Sequence, residues 1–363
     1  MTDQPTPGDP QVLALLERAL SASCAASVRA AVKLGIADAL GPSGATSDEL
    51  AHTVGANPDA LRRLLRSLVC FDVFDEQPNG AFTHTDISRL LREDAPDSLK
   101  YLALWCTEPW TWELWGHLDE AVRTGKDVFV DLYGGEFFEY LHTAWPESAE
   151  TFDLAMTQAS KQSASPIVDM LPMQDVRSVA DVAGGQGHVL ATLLERYPDV
   201  RGVLLDLPDV IANADPRLLA GGALVDRVQL MPGDCREQIP LDIDIYFFKN
   251  ILGMQDDDAV VVLRNVAKSA PPDSTVIIVE NFVDDGPGQR FSTGMDLRML
   301  LSVGGRKHTK QGLLDLVSQS GLIVRSVEPV NSYQHMIQAD IPPRRVGTSQ
   351  RQSGSHAERR NPC

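Results

Sequence analysis

Strand-like and helix-like segments alternate along the second half of the chain, from Val176 to about residue 340. We predict strands near residues 177–183, 201–206, 228–232, 243–249, 274–280, 322–328 and 332–339, with helices near 187–196, 208–214, 256–269 and 308–319. Such alternation indicates an α/β fold with a mostly parallel sheet, because parallel neighbours need a long crossover. Only a short turn at Asn331 separates the last two strands, and we expect them to pair antiparallel.

The first hundred residues follow a different pattern. We predict helices over 11–40, 47–54 and from Pro58 onward, followed by two short strands at 70–75 and 81–85. Asn57 is a favourable N-cap residue, and Pro58 suits the first position of the helix that it caps. Helices joined by a turn and followed by a hairpin are typical of a winged helix.

A winged helix raises the hypothesis of DNA binding, with Arg62, Arg63 and Arg66 on the helix that would read the bases. Residues 1–100 nevertheless contain 14 acidic and 9 basic residues, and the whole chain carries a formal charge of −18. A protein that reads DNA normally presents a basic face. The charge therefore favours a packing or dimerisation role and predicts no nucleic-acid partner.

Aromatic residues are concentrated between the two patterns. All five tryptophans lie between residues 101 and 145, although aromatic residues make up only 6% of the chain. The segment predicts an aromatic core between domains or one wall of a pocket for a flat ligand, and the two interpretations are compatible.

Several remaining features bear on location. No apolar run approaches the roughly 18–20 residues that cross a bilayer, and the N-terminus lacks the pattern of a secretory signal. The five cysteines are scattered and odd in number, which indicates neither a disulfide framework nor a zinc site. We therefore expect a cytoplasmic protein with no membrane partner and no metal.

Residues 341–363, with five arginines and one glutamate, predict a disordered basic tail.

The strongest chemical signal is the stretch 179–187, VADVAGGQG, in which an apolar strand meets a loop of small residues before a helix. Small residues allow a ligand to approach the backbone closely, and a helix N-terminus offers free N–H groups. Asp206 and Asp234 follow the next two predicted strands at the same sheet edge, where an acid can accept ribose hydroxyls. Together they predict a nucleoside-containing ligand. Because Leu190 occupies the last glycine position of a dinucleotide motif, S-adenosylmethionine fits the spacing better.

At this point a family can be identified. The run DVAGGQGHVLATLLERYPDVRGVLLDLPDVI (181–211), with MPGD (231–234), FFKNIL (247–252) and MDLRMLLSVGGRKHT (295–309), resembles the small-molecule O-methyltransferases of plant phenolics and of bacterial polyketide and antibiotic pathways. The resemblance covers about 11–340. It implies a seven-stranded class I Rossmann-like methyltransferase sheet, a winged-helix-like dimerisation domain and a homodimer. The implied boundaries are 1–100 for dimerisation, 101–175 for the aromatic helical bridge and 176–340 for the catalytic domain.

The resemblance also implies roles for particular residues. The expected S-adenosyl-L-methionine site comprises Phe152, Met156, Ser160, Ala183, Gly185, Asp206, Leu207, Gly233, Asp234, Cys235 and Lys249. The expected substrate positions are Trp105, Asn250, Met295 and Asp296. Asp296 and Arg298 both match positions on the cavity side, with a buried ion pair as the alternative interpretation. Ala183 departs from the first glycine of the family motif, a change that is tolerable if only the backbone contacts the ligand.

A larger departure affects the chemistry. Relatives usually carry a histidine that deprotonates a phenol, and this chain has Gly253 at that position. Of the two supporting glutamates, Glu280 is present, whereas Lys307 replaces the other. We name Glu280 and His142 as catalytic candidates, with His117 and His308 as weaker alternatives to His142. For each of the three histidines, a structural role at the surface or in the core is the alternative interpretation.

Three hypotheses follow. In the first, the protein methylates a hydroxyl of an aromatic natural-product intermediate mainly through proximity and orientation, which can supply ~7–11 kcal/mol. In the second, the cofactor is retained while the chemistry has changed to hydroxylation, decarboxylation or a pericyclic reaction. In the third, the protein is a non-catalytic or DNA-binding regulator.

Overall fold

The computed structural model describes residues 9–237, 239, 242–254 and 256–342. Residues 343–363, which hold nearly all of the predicted basic tail, therefore lie outside the described residues. The N-terminal region comprises α1 (Asp9–Ala19), α2 (Ala22–Lys33), α3 (Ile36–Ala39), β1 (Ala45–Thr46), α4 (Ser47–Val54), α5 (Pro58–Cys70), β2 (Phe74–Glu76), β3 (Ala81–His84) and α6 (Asp86–Arg89).

The N-terminal region contains the predicted hairpin. Strands β2 and β3 pair antiparallel, and β1 adds to β3 in a three-stranded sheet of order β1-β3-β2. Asn57 caps α5 as predicted, since its Oδ1 accepts a hydrogen bond from the Ala60 N–H at 3.0 Å. The strand predicted from Cys70 begins only at Phe74, because Cys70 still belongs to α5.

Six helices form the bridge between the N-terminal region and the large sheet. They are α7 (Lys100–Cys106), α8 (Pro109–Gly116), α9 (Leu118–Thr124), α10 (Phe129–Tyr133), α11 (Phe137–Ala144) and the long α12 (Pro146–Met170). Most aromatic residues of this segment form one cluster around the buried Trp105, Trp110, Phe129 and Phe137, whereas Trp112 and Phe138 are exposed. No helix of the described residues is long and apolar enough to cross a bilayer.

The remaining elements build the catalytic sheet and its flanking helices. They are β4 (Ser178–Val182), α13 (His188–Arg196), β5 (Arg201–Asp206), α14 (Pro208–Ile211), a 3-10 turn (Val225–Arg227), β6 (Val228–Pro232), β7 (Ile245–Lys249), α15 (Asp256–Ser269), β8 (Thr275–Glu280), α16 (Gln289–Val303), α17 (Lys310–Gln319), β9 (Ile323–Pro329) and β10 (His335–Asp340). All seven predicted strands are present. Helix α16 is absent from the sequence prediction.

The seven strands have the order β6-β5-β4-β7-β8-β10-β9. The first five strands in chain order pair in parallel, and β10 lies antiparallel between β8 and β9. This arrangement confirms the predicted class I methyltransferase sheet with its antiparallel end. Strand order reverses between β4 and β7, and in open α/β sheets the crevice at such a reversal holds the ligand.

Candidate active site

The loop after β4 approaches its surroundings too closely for most side chains. A Cβ on Gly184 would overlap the carboxylate of Asp181, which packs beneath the loop. Gly185 has φ +62° and Ala183 has φ +52°, so both occupy the left-handed region. The loop backbone thus forms a tight turn at the sheet edge, with room for a ligand above it.

Asp206, at the end of β5, contacts this loop directly. Its Oδ2 accepts a hydrogen bond from the Gly185 N–H at 2.8 Å, and its Oδ1 accepts one from the Leu207 N–H at 2.7 Å. Burial raises the pKa of Asp206, the two backbone N–H groups oppose that rise, and Asp234 adds to it. An acid held in this way can accept the hydroxyls of a ribose.

The end of β6 lies beside Asp206. The Gly233 N–H donates to the backbone oxygen of Asp206 at 2.9 Å. Asp234 is ion-paired with Arg236 at 2.6 Å, and this pairing lowers the pKa of Asp234. Cys235 is buried, and desolvation together with the nearby acids raises the pKa of its thiol to about 11.

The end of β7 meets the long helix α12. The Lys249 ammonium donates to the Ser160 hydroxyl at 3.3 Å, which brings together two residues predicted for the same pocket. Burial lowers the pKa of Lys249, whereas the carboxylates of Asp181 and Glu280 oppose that shift. Met156, one helical turn before Ser160, is 36% exposed. An apolar side chain exposed at a sheet edge is suited to cover a ligand.

Sequence reasoning missed Asp181. Its side chain is 2% exposed and its Oδ1 lacks a hydrogen-bond partner among the described residues. Burial raises the pKa of Asp181 to about 7, with Lys249 opposing the shift. The available signal was an acid within an otherwise apolar strand, two residues before the small-residue loop.

The surroundings of Gly253, which stands where relatives carry the base, contain an ion pair and a close steric contact. The Lys307 ammonium and the Glu280 carboxylate form a buried ion pair at 2.8 Å, and Glu280 also accepts the Leu252 N–H at 3.1 Å. Glu280 therefore neutralises the lysine that replaces the second acid. A Cβ on Gly253 would lie 2.6 Å from Met299 Cε and 3.0 Å from the backbone oxygen of Arg306. A side chain at position 253 would therefore require Met299 to move.

Of the candidate histidines, only His308 lies beside this region, and a backbone oxygen occupies its Nε2. His142 is exposed on α11, with Asp153 as a charged neighbour. His117 is half-exposed near Glu120 at 3.4 Å. His308 is buried, and its Nε2 lies 2.8 Å from the backbone oxygen of Leu252. The structure therefore gives no support for His142 as the base.

The expected substrate positions surround the aromatic cluster and the end of β7. Trp105 is buried, and its ring centroid lies 4.8 Å from that of Phe152. Asn250 follows β7 with φ +57° and is exposed. Met295 and Asp296 are half-buried on α16. One expected acceptor position, Trp105, thus contacts one expected cofactor position, Phe152.

Arg298 forms no ion pair among the described residues, so the alternative of a buried ion pair is wrong. Asp296 instead accepts the backbone N–H of Lys307 at 2.7 Å. The Arg298 guanidinium lies over the rings of Trp105 and Trp110, at 4.5 and 5.3 Å from their centroids. Residues two apart on a helix do not face each other, which explains why Asp296 and Arg298 do not pair.

Comparison with known proteins identifies the family to which the chain belongs. The model of the O-methyltransferase domain matches residues 115–323, more than half of the chain, and the O-methyltransferase dimerisation domain matches residues 17–94. The chain belongs to the O-methyltransferase family. It is an enzyme of the S-adenosylmethionine-dependent methyltransferases, and its sheet-edge residues fit that cofactor: a tight small-residue loop, an acid after β5 and exposed apolar side chains.

Individual relatives cover most of this methyltransferase. A mitomycin biosynthesis 6-O-methyltransferase from Streptomyces lavendulae is 33% identical over 84% of this chain and 87% of its own length. Aclacinomycin 10-hydroxylase RdmB from Streptomyces purpurascens is 30% identical over 83% of this chain and 81% of its own. The structure of CalO1, a methyltransferase in calicheamicin biosynthesis in its S-adenosylhomocysteine-bound form, superposes with a TM-score of 0.84 at 29% identity, covering 93% and 100% of the two chains.

Proposed function

We propose that this methyltransferase methylates a hydroxyl group of an aromatic natural-product intermediate, such as one in a polyketide or antibiotic pathway. The observation that carries the proposal is the contact between Trp105 and Phe152, because it joins an aromatic wall to the expected cofactor pocket. A flat ring lying against this wall would be close to the sheet edge. The relatives named for mitomycin and calicheamicin biosynthesis support the same class of pathway.

The cofactor would be held by residues at the ends of β4 to β7. The backbone at Ala183 and Gly185 would bind its amino-acid portion, Asp206 its ribose, and Leu207, which is 49% exposed, its adenine. Phe152, Met156 and Ser160 would cover the cofactor from α12. Gly233, Asp234 and Cys235 would border the adenine. Lys249, which contacts Ser160, would lie beside the same pocket. When bound, S-adenosylmethionine supplies a methyl group already activated for transfer to oxygen.

Orientation would supply most of the catalysis. Gly253 offers no group that could accept the hydroxyl proton, and Glu280 is occupied by Lys307 and the Leu252 N–H. Trp105, Asn250, Met295 and Asp296 would instead hold the acceptor in line with the methyl group, and alignment alone can contribute ~7–11 kcal/mol. Such a site suits an acceptor whose hydroxyl is already acidic enough to lose its proton to water.

A changed reaction is the second candidate, because RdmB is named a hydroxylase. The two candidates differ in the fate of the cofactor. Methyl transfer produces one S-adenosylhomocysteine for each methylated acceptor, whereas the changed chemistries leave the cofactor intact. Chromatographic measurement of S-adenosylhomocysteine against turnover therefore separates them.

The assembly that we propose is a cytoplasmic homodimer without nucleic-acid or membrane partners. Helix α1 contains no buried residue, and Leu13, Leu15 and Leu16 are each more than 50% exposed, as expected of a surface that a second copy covers. On the predicted reading helix, Arg62 and Arg66 are ion-paired with Asp48 and Glu76, which does not favour DNA binding. The domain boundaries that we propose are 1–100, 101–175 and 176–340.

The Asp206→Ala variant tests the cofactor site. Loss of the ribose-binding carboxylate should weaken S-adenosylmethionine binding by about tenfold or more, on the order of 1.4 kcal/mol. Isothermal titration calorimetry measures the change. Asp209→Ala, an exposed acid on the neighbouring α14, is the matched control and should bind like the unmodified protein. Equal affinities for the two variants would refute the assignment of Asp206.

A further inference from the structure

Arg298 on α16 has a chemical property that the proposed function does not yet use. Its side chain is 7% exposed, and neither Nη1 nor Nη2 has a hydrogen-bond partner within the described part of the chain. Arginine remains charged at physiological pH. An unpaired buried charge is strongly destabilising, so a guanidinium retained in this state indicates a site that a ligand completes.

The protein supplies no anion for this guanidinium. Burial lowers the pKa of Arg298, and the negative charge of Glu108 opposes that shift. The Glu108 carboxylate, however, already binds Arg29 at 3.1 Å and Ser148 at 2.6 Å. Asp296 is engaged by the Lys307 N–H. Cys106 lies beside the guanidinium, and burial raises the pKa of its thiol, so that it remains a neutral and weak partner.

The position of Arg298 relates it to the acceptor. Met295 and Arg298 are three residues apart and therefore share a face of α16. The next residue, Met299, reaches Gly253, which stands where relatives carry the base. On its other side the guanidinium covers Trp105, whose ring contacts Phe152. Arg298 thus contacts the aromatic wall, and the residue that follows it on α16 adjoins Gly253.

We infer that Arg298 binds a carboxylate of the acceptor, so that the substrate class is a hydroxylated aromatic carboxylic acid. A planar guanidinium can donate two parallel hydrogen bonds to the two carboxylate oxygens, which fixes the plane of the attached ring. This inference rests on the proposed function, because it presupposes an aromatic acceptor of methyl groups.

The test uses the full chain loaded with S-adenosylhomocysteine and titrated in a calorimeter with three matched probes: a hydroxynaphthoate, the corresponding hydroxynaphthamide and naphthol. The hydroxynaphthoate should bind at least about tenfold more tightly than the amide. Arg298→Met should abolish this preference, so that the variant binds the hydroxynaphthoate and the amide with equal affinity. Arg290→Met, an exposed arginine on the same helix, should keep the preference.

A second readout separates binding from a structural role. Met replaces a buried unpaired charge with an apolar side chain of similar length, so the Tm of Arg298→Met should equal or exceed that of the parent. If this variant does not fold, Arg298→Lys carries the test, since it keeps the charge and loses the paired donors. It should retain naphthol affinity and lose most of the preference for carboxylate.

Two results would overturn the inference: no carboxylate preference in the parent protein, or a preference that survives in the Arg298 variants. If S-adenosylhomocysteine binds while the preference is absent, only this inference fails. If S-adenosylhomocysteine does not bind, the proposed function fails together with it.

Discussion

Ala183 and Asn250 both hold left-handed backbone conformations immediately after the two central strands, with φ values of +52° and +57°. For a residue with a Cβ this conformation costs ~1–2 kcal/mol. Backbone strain is commonly retained where function needs it. Its position after β4 and β7 coincides with the sheet edge that we assign to the cofactor.

Replacing Ala183 with glycine tests this strain. Relief of ~1–2 kcal/mol should outweigh the ~0.4–1 kcal/mol lost through greater freedom of the unfolded chain. We expect the Tm of Ala183→Gly to be equal to or above that of the parent in thermal unfolding. Ala180→Gly, in the buried interior of β4, should lower the Tm. Similar losses in both variants would show that Ala183 is not strained.

The raised pKa of Asp181 predicts that the free energy of unfolding depends on pH. Burial raises its pKa from 3.8 to about 7, so the folded state binds more protons than the unfolded state between these values. The contribution of Asp181 to stability is therefore largest below about pH 4 and falls as the pH rises toward 7. Asp181→Asn should remove this slope, which urea unfolding at a series of pH values measures. Parallel pH profiles for the variant and the parent would contradict the assignment.

At the level of secondary-structure elements, the loop after β7 packs closely against the turn after α16 at Gly253, the position where relatives carry the base. The Arg306 N–H donates to the backbone oxygen of Gly253 at 2.9 Å. A Cβ on Gly305 would overlap that same oxygen, and one on Gly253 would meet Met299. At Gly305 the two segments are closer than a side chain permits, because the obstructing atom is a backbone oxygen. At Gly253 the overlapping atom is the end of the Met299 side chain, so a histidine there would require Met299 to move.

Gly305→Ala should therefore be destabilising by ~1–3 kcal/mol, because the obstructing atom belongs to the backbone and cannot rotate away. Gly294→Ala is the matched control on α16, where a Cβ meets no other atom within 4 Å. It should stabilise the helix by ~0.5–1 kcal/mol. Chemical denaturation measures both changes. If Gly305→Ala left the free energy of unfolding unchanged, the two segments would be able to separate freely.

Across the whole molecule, a partly buried ion pair joins the N-terminal region to the aromatic bridge. Arg29 on α2 donates to the Leu104 backbone oxygen and to the Glu108 carboxylate, each at 3.1 Å. Glu108 is also bound by Ser148 on α12. Three helical segments that are distant in sequence thus meet at one carboxylate.

Arg29→Ala should reduce the free energy of unfolding by about 3 kcal/mol, because Glu108 would remain buried without its cation. Arg62→Ala breaks the exposed pair with Asp48 and should cost less than ~1 kcal/mol. Thermal unfolding of the two variants provides the comparison. Equal losses would mean that the Arg29 pair behaves as a surface interaction.

Local patterns identified most of the fold. The β strands of the catalytic sheet were predictable from short apolar runs, and α5 from Asn57 and Pro58, since these signals act within a few residues. Helix α16 was missed because its polar and apolar residues show little periodicity, and its burial comes from contacts with α8, α9 and α10. Asp181 was missed for a related reason, because the main cause of its pKa shift is burial, which depends on the tertiary structure.

The sequence by itself determined the sheet, its antiparallel end and the family, because strand alternation, the small-residue loop and the acids after β5 and β6 are local in the chain. Only the tertiary structure decided how Gly253, Glu280, Lys307 and Arg298 are used. Their partners come from segments dozens of residues away, and no local spacing reveals that Lys307 neutralises Glu280 or that Arg298 lies unpaired between tryptophans. Charge pairing and desolvation depend on three-dimensional neighbours, and these set the chemistry of the site.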